Sequence, residues 1–292
     1  MKVLSSCGVG RLAGAVLRRA CLALLGVLAA AILSSANAGA ETYSIGVVPQ
    51  FEPRKMFGIW RPIVEELEKR TGNRFNLVVP LTVSEFEREL EKGTYDFVYA
   101  NPYHIMRVSQ KQNYLPLVRD RIPLRGILLV RKDSRVQELK DLDGKTLAVP
   151  SPNAIGASLL IRADLEHLYG VRMAMVNVKT HSSVYLNVLN GLTDAGGGVE
   201  KTFDEQDKPV RDALRIIYTT RELPSHPVAA HPRVDKTVRE KVRQALLELP
   251  ASPAGKAMLD EVPMTEPVTA SIEDYLVMRK WGLDSYWVGE GK

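Results

Sequence analysis

The chain has 292 residues, 39 of them Lys or Arg and 34 Asp or Glu, for a formal net charge of +5. Four of the cations, Lys2, Arg11, Arg18 and Arg19, precede residue 39; 39 less four leaves 35 bases against 34 acids, which removes any charge argument for nucleic-acid binding. Both cysteines, Cys7 and Cys21, lie in the same leader, so the remainder has no disulfide, thiolate metal site or cysteine nucleophile.

The leader reads as a secretion signal over residues 1–38. An apolar run from Cys21 to Ile32 follows Arg18-Arg19 and ends at the small-x-small triplet Ala36-Asn37-Ala38. The run is too short to anchor in a membrane, and cleavage is expected near Ala38 or Ala40. About 250 residues remain, a length that suits one large domain or two lobes.

Beyond the leader, strand and helix patterns alternate. Tyr43–Val48 reads as a buried strand, and residues 59–70 as a helix with Pro62 in its first turn and Gly72 just past its end. A strand over 75–79, a helix over 83–90 and a strand over 95–100 follow, and Asn101-Pro102 opens another helix. Residues 115–118 and 126–130 read as two more strands. The alternation then restarts, with strands at 146–149, 173–178, 194–196 and 214–218 and helices at 154–169, 184–189 and 199–206. Short-spaced alternation predicts parallel βαβ units, and the restart predicts two blocks. Pro224 to Pro232 is a proline-punctuated extended segment, read as a return into the first block; helices near 235–248, 254–259 and 271–280 would finish it. The expected division is residues 41–130 with 222–292 as one lobe and 131–221 as the other.

Ligands bind beyond the carboxyl ends of strands in sheets of this kind. Four groups fall there: Tyr99, Asn101, Tyr103 and His104; Asn153 to Ser158, including Ile155, Gly156 and Ala157; His181 and Ser182; and Gly196-Gly197-Gly198 with Glu200. The stretch 147–160 stands out as a strand, a turn and a helix start built from small residues. Such a start presents unpaired N–H groups and partial positive charge to an anion, with Ser158 able to add a hydroxyl. The plainer reading is that the small residues let the helix lie close on the sheet. Tyr99 and Tyr103 also pass for ordinary half-buried aromatics, and Glu200 for a first-turn acid. No Gly-x-Ser-x-Gly elbow, His-Glu-x-x-His or acidic calcium loop is present, so no enzyme, metal site or cofactor is expected. His226 and His231, five apart across the proline segment, do not share a helical face for a metal.

The order of several short motifs resembles the phosphate/phosphite/phosphonate substrate-binding family of ABC transporters, a branch of the type 2 periplasmic binding proteins. The resemblance runs over about residues 43–285. It rests on Ile45-Gly46-Val47 with Trp60-x-Pro62, Gly93-x-Tyr95-Asp96-Phe97-Val98-Tyr99-x-Asn101-Pro102, Leu128-x-Val130-Arg131-Lys132-Asp133-Ser134 and Leu139-x-Asp141-Leu142-x-Gly144-Lys145. It continues through Pro152-Asn153-x-x-Gly156, Val188-Leu189-x-Gly191-x-x-Asp194-Ala195-Gly196 and Pro227-x-x-Ala230-x-Pro232. The resemblance implies an α/β fold of two hinged lobes with the ligand cleft between them. It also implies a monomer in the periplasm that captures a small oxyanion for an inner-membrane ABC permease. Relatives hold the oxyanion with Ser-Thr-Ser at the start of the second-lobe helix; here the matching stretch is Ala154-Ile155-Gly156-Ala157-Ser158, with most hydroxyls gone. The resemblance matches the family's site histidine to His181, its first-lobe tyrosine to Tyr99 and an amine-binding acid to Glu200. The same fold used as the sensor of a membrane histidine kinase is the alternative.

Overall fold

The computed structural model describes residues 41–289; the expected leader and its cleavage point fall outside them. The strands form two separate sheets. The first contains β1 (Thr42–Val47), β2 (Arg74–Val78), β3 (Phe97–Tyr99), β4 (Leu115–Asp120), β10 (Val228–Ala230) and β11 (Pro267–Thr269), in the order β11-β4-β10-β3-β1-β2. Parallel pairing of β1 with β2 and β3 matches the βαβ expectation, whereas β10 runs antiparallel between β3 and β4. The proline segment does return to this sheet.

Helix α1 (Pro53–Thr71) starts six residues before the expected position. Pro53 occupies the tolerated first position, and Pro62 lies mid-helix, where it withholds an N–H from the Gly58 carbonyl. The helix persists because its other face buries Ile59, Trp60, Ile63, Val64 and Leu67 against the sheet. Gly72 ends it in the left-handed conformation, its N–H bonded to the Glu68 carbonyl. Helix α2 (Val83–Lys92) is capped by the Thr82 hydroxyl and α3 (Pro102–Val108) by the Asn101 side chain.

The second sheet contains β5 (Gly126–Arg131), β6 (Thr146–Val149), β7 (Ala174–Asn177), β8 (Ala195–Val199) and β9 (Leu214–Thr219), in the order β7-β6-β8-β5-β9. A boundary at residue 130 therefore falls inside a strand of this sheet: β5 pairs with β8 and β9, not with the first block. The chain passes between sheets over residues 121–125 and back over 220–227. The two passages are bonded to each other, with reciprocal Leu124–Leu223 backbone hydrogen bonds of 2.9 Å each.

The strand expected at 194–196 runs on through the glycine triplet. Gly196, Gly197 and Gly198 continue strand β8 to Val199. A Cβ on Gly197 would stand 2.0 Å from the Ala157 carbonyl oxygen, and one on Gly126 would stand 2.1 Å from that of Gly156. The glycines let the turn 155–159 lie directly on the sheet.

That turn is a single π turn, Ile155–Leu159, running on as α4 (Leu160–Tyr169). Helices α5 (His181–Leu189), α6 (Glu200–Asp204) and α7 (Lys208–Ala213) complete the block, α7 having no clear periodic signal in the sequence. Helices α8 (Lys236–Glu248) and α9 (Pro253–Asp260) contribute apolar residues to the first sheet's core. After α10 (Glu273–Leu276) the tail does not stay with that sheet as expected. Asp284 accepts from Tyr103 and Arg107 on α3, while the Tyr286 carbonyl accepts from Arg162 on α4. A shared apolar cluster of Tyr103, Leu124, Ile155, Leu159, Tyr275 and Met278, among others, joins the two blocks beneath this tail. No helix among the described residues is long and apolar enough to cross a membrane.

Candidate functional site

Where strand ends of the two sheets face each other, a cavity of about 30 Å³ is lined by Val48–Gln50, Asn101, His104, Pro150–Ser151, Ala154–Ala157, His181 and His226, with apolar walls from Val83, Leu124 and Val199. That is room for two or three water-sized centres, the scale of a compact ligand. No Lys, Arg, Asp or Glu lines it.

One wall is the helix start singled out from the sequence. The N–H groups of Ser158 and Leu159 both bond to the Ala154 carbonyl. Those of Ile155, Gly156 and Ala157 precede any intrahelical acceptor and have no partner among the described residues. Three adjacent free donors at the positive end of a continuous helical run have the chemistry that suits an anion.

Facing it are three histidines. His181 begins α5, whose cap is the Thr180 hydroxyl, and its Nδ1 lies 3.2 Å from the Thr202 hydroxyl. His104 on α3 bonds through Nε2 to Glu87 at 2.9 Å, and its Nδ1 is buried without a partner. His226 lies in the return passage, its ring stacked on Tyr99 with centroids 5.3 Å apart and its Nδ1 also unpartnered. Burial holds His181 down to about 4. Burial, and then the neighbouring His104 and His181, hold His226 down to about 3. Both rings are neutral at pH 7. Among the described residues no group of three or more His, Cys, Asp or Glu is arranged to hold a metal ion. The rings are available as hydrogen-bonding groups.

Of the residues named from sequence, the cavity gathers Asn101, His104, Ile155, Gly156, Ala157 and His181. Asn101 also spans the two blocks, its Nδ2 donating to the Asn153 carbonyl at 3.4 Å. The others stand elsewhere. Ser158 is fully buried with its hydroxyl accepting from Arg162 Nε at 3.2 Å, because the wide π turn rotates residue 158 away from the cavity. Asn153 is held by Glu87 and by reciprocal bonds with Val288 of the tail. Tyr103 bonds to Asp284, and Ser182 does not line the cavity. Tyr99 lies behind His226, fully buried, its hydroxyl unpartnered. Glu200 lines a separate depression with Arg125 and Asp204. His226 and Gln50 were missed; the sequence offered only prolines around one and a loop around the other.

Comparison with known proteins bears on the family and the fold. A family described as the periplasmic substrate-binding protein of a phosphonate ABC transporter matches residues 45–275. Among solved structures, a binding-protein component of an ABC phosphonate transporter from Pseudomonas aeruginosa is similar, with TM-score 0.76 and 14% identity over 86% of this chain and 91% of that one. PhnD1 from Prochlorococcus marinus, solved with methylphosphonate, has TM-score 0.77 and 14% identity over 85% and 99%. These likenesses bear out the type 2 periplasmic binding-protein fold. Among curated proteins, the tetrathionate sensor histidine kinase TtrS of Salmonella typhimurium is 26% identical over 145 residues, 47% of this chain, which spans about a quarter of that protein. With the family matched over most of its length, the chain belongs to the phosphonate-type periplasmic substrate-binding proteins of ABC transporters.

Proposed function

We propose that this protein captures a small oxyanion of the phosphonate, phosphite or phosphate class between its two blocks and delivers it to an inner-membrane ABC permease. The observation that carries the reading is the cavity itself. Three free backbone N–H groups at Ile155–Ala157 face His104, His181 and His226 across a space sized for a compact ligand. Residues 121–125 and 220–227, joined at Leu124 and Leu223, serve as the hinge on which two lobes, 42–120 with 228–289 and 126–219, open and close. Specificity arises because a wrong ligand leaves these buried groups unpaired.

Native mass spectrometry of the mature protein, with a thermal-shift screen of phosphate, phosphite, phosphonates, and sulfur and arsenic oxyanions, tests the reading. An anion at 100 times its Kd stabilises by about 2.7 kcal/mol, a rise in Tm of about 5–10 °C for a chain of this size. Retention of a neutral or cationic molecule with no response to any anion would refute it.

A second reading, the ligand-sensing domain of a histidine kinase system, is favoured by the aligned segment of the tetrathionate sensor kinase. A tetrathionate-length ligand exceeds the cavity as it stands and would need the lobes to part. Tetrathionate therefore belongs in the same screen, and its binding in preference to every tetrahedral anion would favour sensing.

A further inference from the structure

The hydrogen bonds behind His181 determine what its other ring nitrogen can do. Thr202 has a single hydroxyl proton and three neighbours: the Val199 carbonyl at 3.0 Å, the Tyr185 hydroxyl at 2.7 Å and His181 Nδ1 at 3.2 Å. All three side chains are buried. If Thr202 donates to Val199, its oxygen accepts from both Tyr185 and an Nδ1–H, and all three contacts are hydrogen bonds. If Thr202 donates instead to Nδ1, its 3.0 Å bond to Val199 is forfeited and that carbonyl keeps only the longer 3.4 Å contact from the Tyr185 hydroxyl. The first pattern makes one more buried bond, worth about 1 kcal/mol. It places the ring proton on Nδ1 and leaves Nε2 a bare lone pair with no partner among the described residues. His104 repeats the motif in mirror form. Its Nε2 lies 2.9 Å from the Glu87 side chain, and its Nδ1 is buried and unpartnered.

A fully ionised dianion in this cavity would meet a lone pair on His181 and no Lys or Arg on any wall. Moving such a charge out of water without a counter-charge is costly. We propose, on the reading above, that the cavity takes its oxyanion together with one proton, as a hydrogen-bearing monoanion that donates to His181 Nε2, and that Thr202 sets this selectivity by fixing the ring tautomer. Whether the proton resides on the ligand oxygen or on Nε2, the count is the same. The burial that keeps His181 neutral fits this arrangement. No charged group stands ready to replace the proton. The groups facing His181 are the Gln50 carbonyl, at 3.4 Å from its backbone N–H, Thr202 and Tyr185, with His226 and His104 on the other cavity walls. Glu87 is engaged with His104 and Asn153, and Glu205 with Lys55 and Lys201.

Two measurements decide it. Nitrogen-15 spectra of the ligand-free protein report the His181 tautomer directly; a protonated Nδ1 and bare Nε2 are expected, and a protonated Nε2 would overturn the proposal. Calorimetric titrations with methylphosphonate and with sulfate, from pH 5.5 to 8.5, report the proton. Methylphosphonate affinity should fall about tenfold per pH unit above its second ionisation, and sulfate, which has no proton to bring, should bind at least about 100-fold more weakly. Thr202→Val, which keeps the shape and frees the tautomer, should flatten that slope and narrow the gap to sulfate. Methylphosphonate binding that is independent of pH, or equal affinity for sulfate, would overturn the proton requirement and leave the anion site standing. Failure of methylphosphonate, phosphate and phosphite to bind at any pH would remove both.

Discussion

Because His181 and His226 are buried neutral, the ligand-free protein should lose stability on mild acidification by an amount these two residues set. Each has an ordinary value of 6.5 and a folded value near 4 and 3 respectively. A folded value below the unfolded one means that the unfolded chain takes up protons first. The stability these rings contribute is therefore complete above pH 6.5 and is lost progressively as the pH falls towards 4 and 3. At pH 5 the unfolded-state protonation costs about 2 kcal/mol per ring relative to pH 8, and about 4 kcal/mol for the pair. That figure depends only on both folded values lying below 5. Urea unfolding of wild type, His226→Asn, His181→Asn and the double variant at pH 8 and pH 5 checks it. Carboxylates common to all four proteins cancel in the comparison. Each substitution should remove about 2 kcal/mol of the pH 8-to-5 loss, and the double variant about twice that. Equal losses in wild type and double variant would refute the neutral, buried histidines and the hydrogen-bonding roles built on them.

Other substitutions separate binding from packing. Gly197→Ala places a methyl 2.0 Å from the Ala157 carbonyl, so it should cost about 2–3 kcal/mol in urea unfolding and displace the anion seat, weakening phosphate-class ligands. Ser158→Ala removes a hydroxyl engaged with Arg162; calorimetry should show ligand affinity within about twofold of wild type, with about 1 kcal/mol lost in stability. Asn153→Ala breaks the reciprocal bonds to Val288 and the one to Glu87. The expected result is faster proteolysis of residues 283–289 and a loss of about 1–3 kcal/mol in unfolding.

Much of the fold was legible because it depends on local pattern. Gly72 closes α1 in the left-handed conformation, and Asn101 caps the helix it precedes. What the sequence hid depends on distant partners. Glycine has low strand preference, so Gly197 and Gly198 fall outside the expected strand 194–196 until the turn 155–159 is seen lying on them. Pro62 reads as a helix start because a mid-helix proline persists only where tertiary burial offsets its missing bond. The strand Gly126–Arg131 joins the first block in sequence and the second in space, since antiparallel pairing with β8 and β9 is a long-range choice.

The same division runs through the site. His181 and the residues 155–157 follow from strand-then-helix order, which places them at a sheet's carboxyl edge. Ser158 looked equivalent, but one extra residue in the π turn rotates it towards Arg162. His226 was passed over because a proline-rich passage has no periodicity to say which way its side chains face, and only the β10 register brings it beside Tyr99.

The central claim is that an oxyanion sits between the Ile155–Ala157 N–H groups and the histidines. Calorimetric titration of wild type, His181→Asn and Ser158→Ala with methylphosphonate, phosphite and phosphate tests it most directly. At least one of these anions should bind wild type and Ser158→Ala with similar affinity and His181→Asn at least about tenfold more weakly, as loss of a buried hydrogen bond to a charged ligand requires. Unchanged binding in His181→Asn with weakened binding in Ser158→Ala would contradict the account and move the site to the other side of the turn.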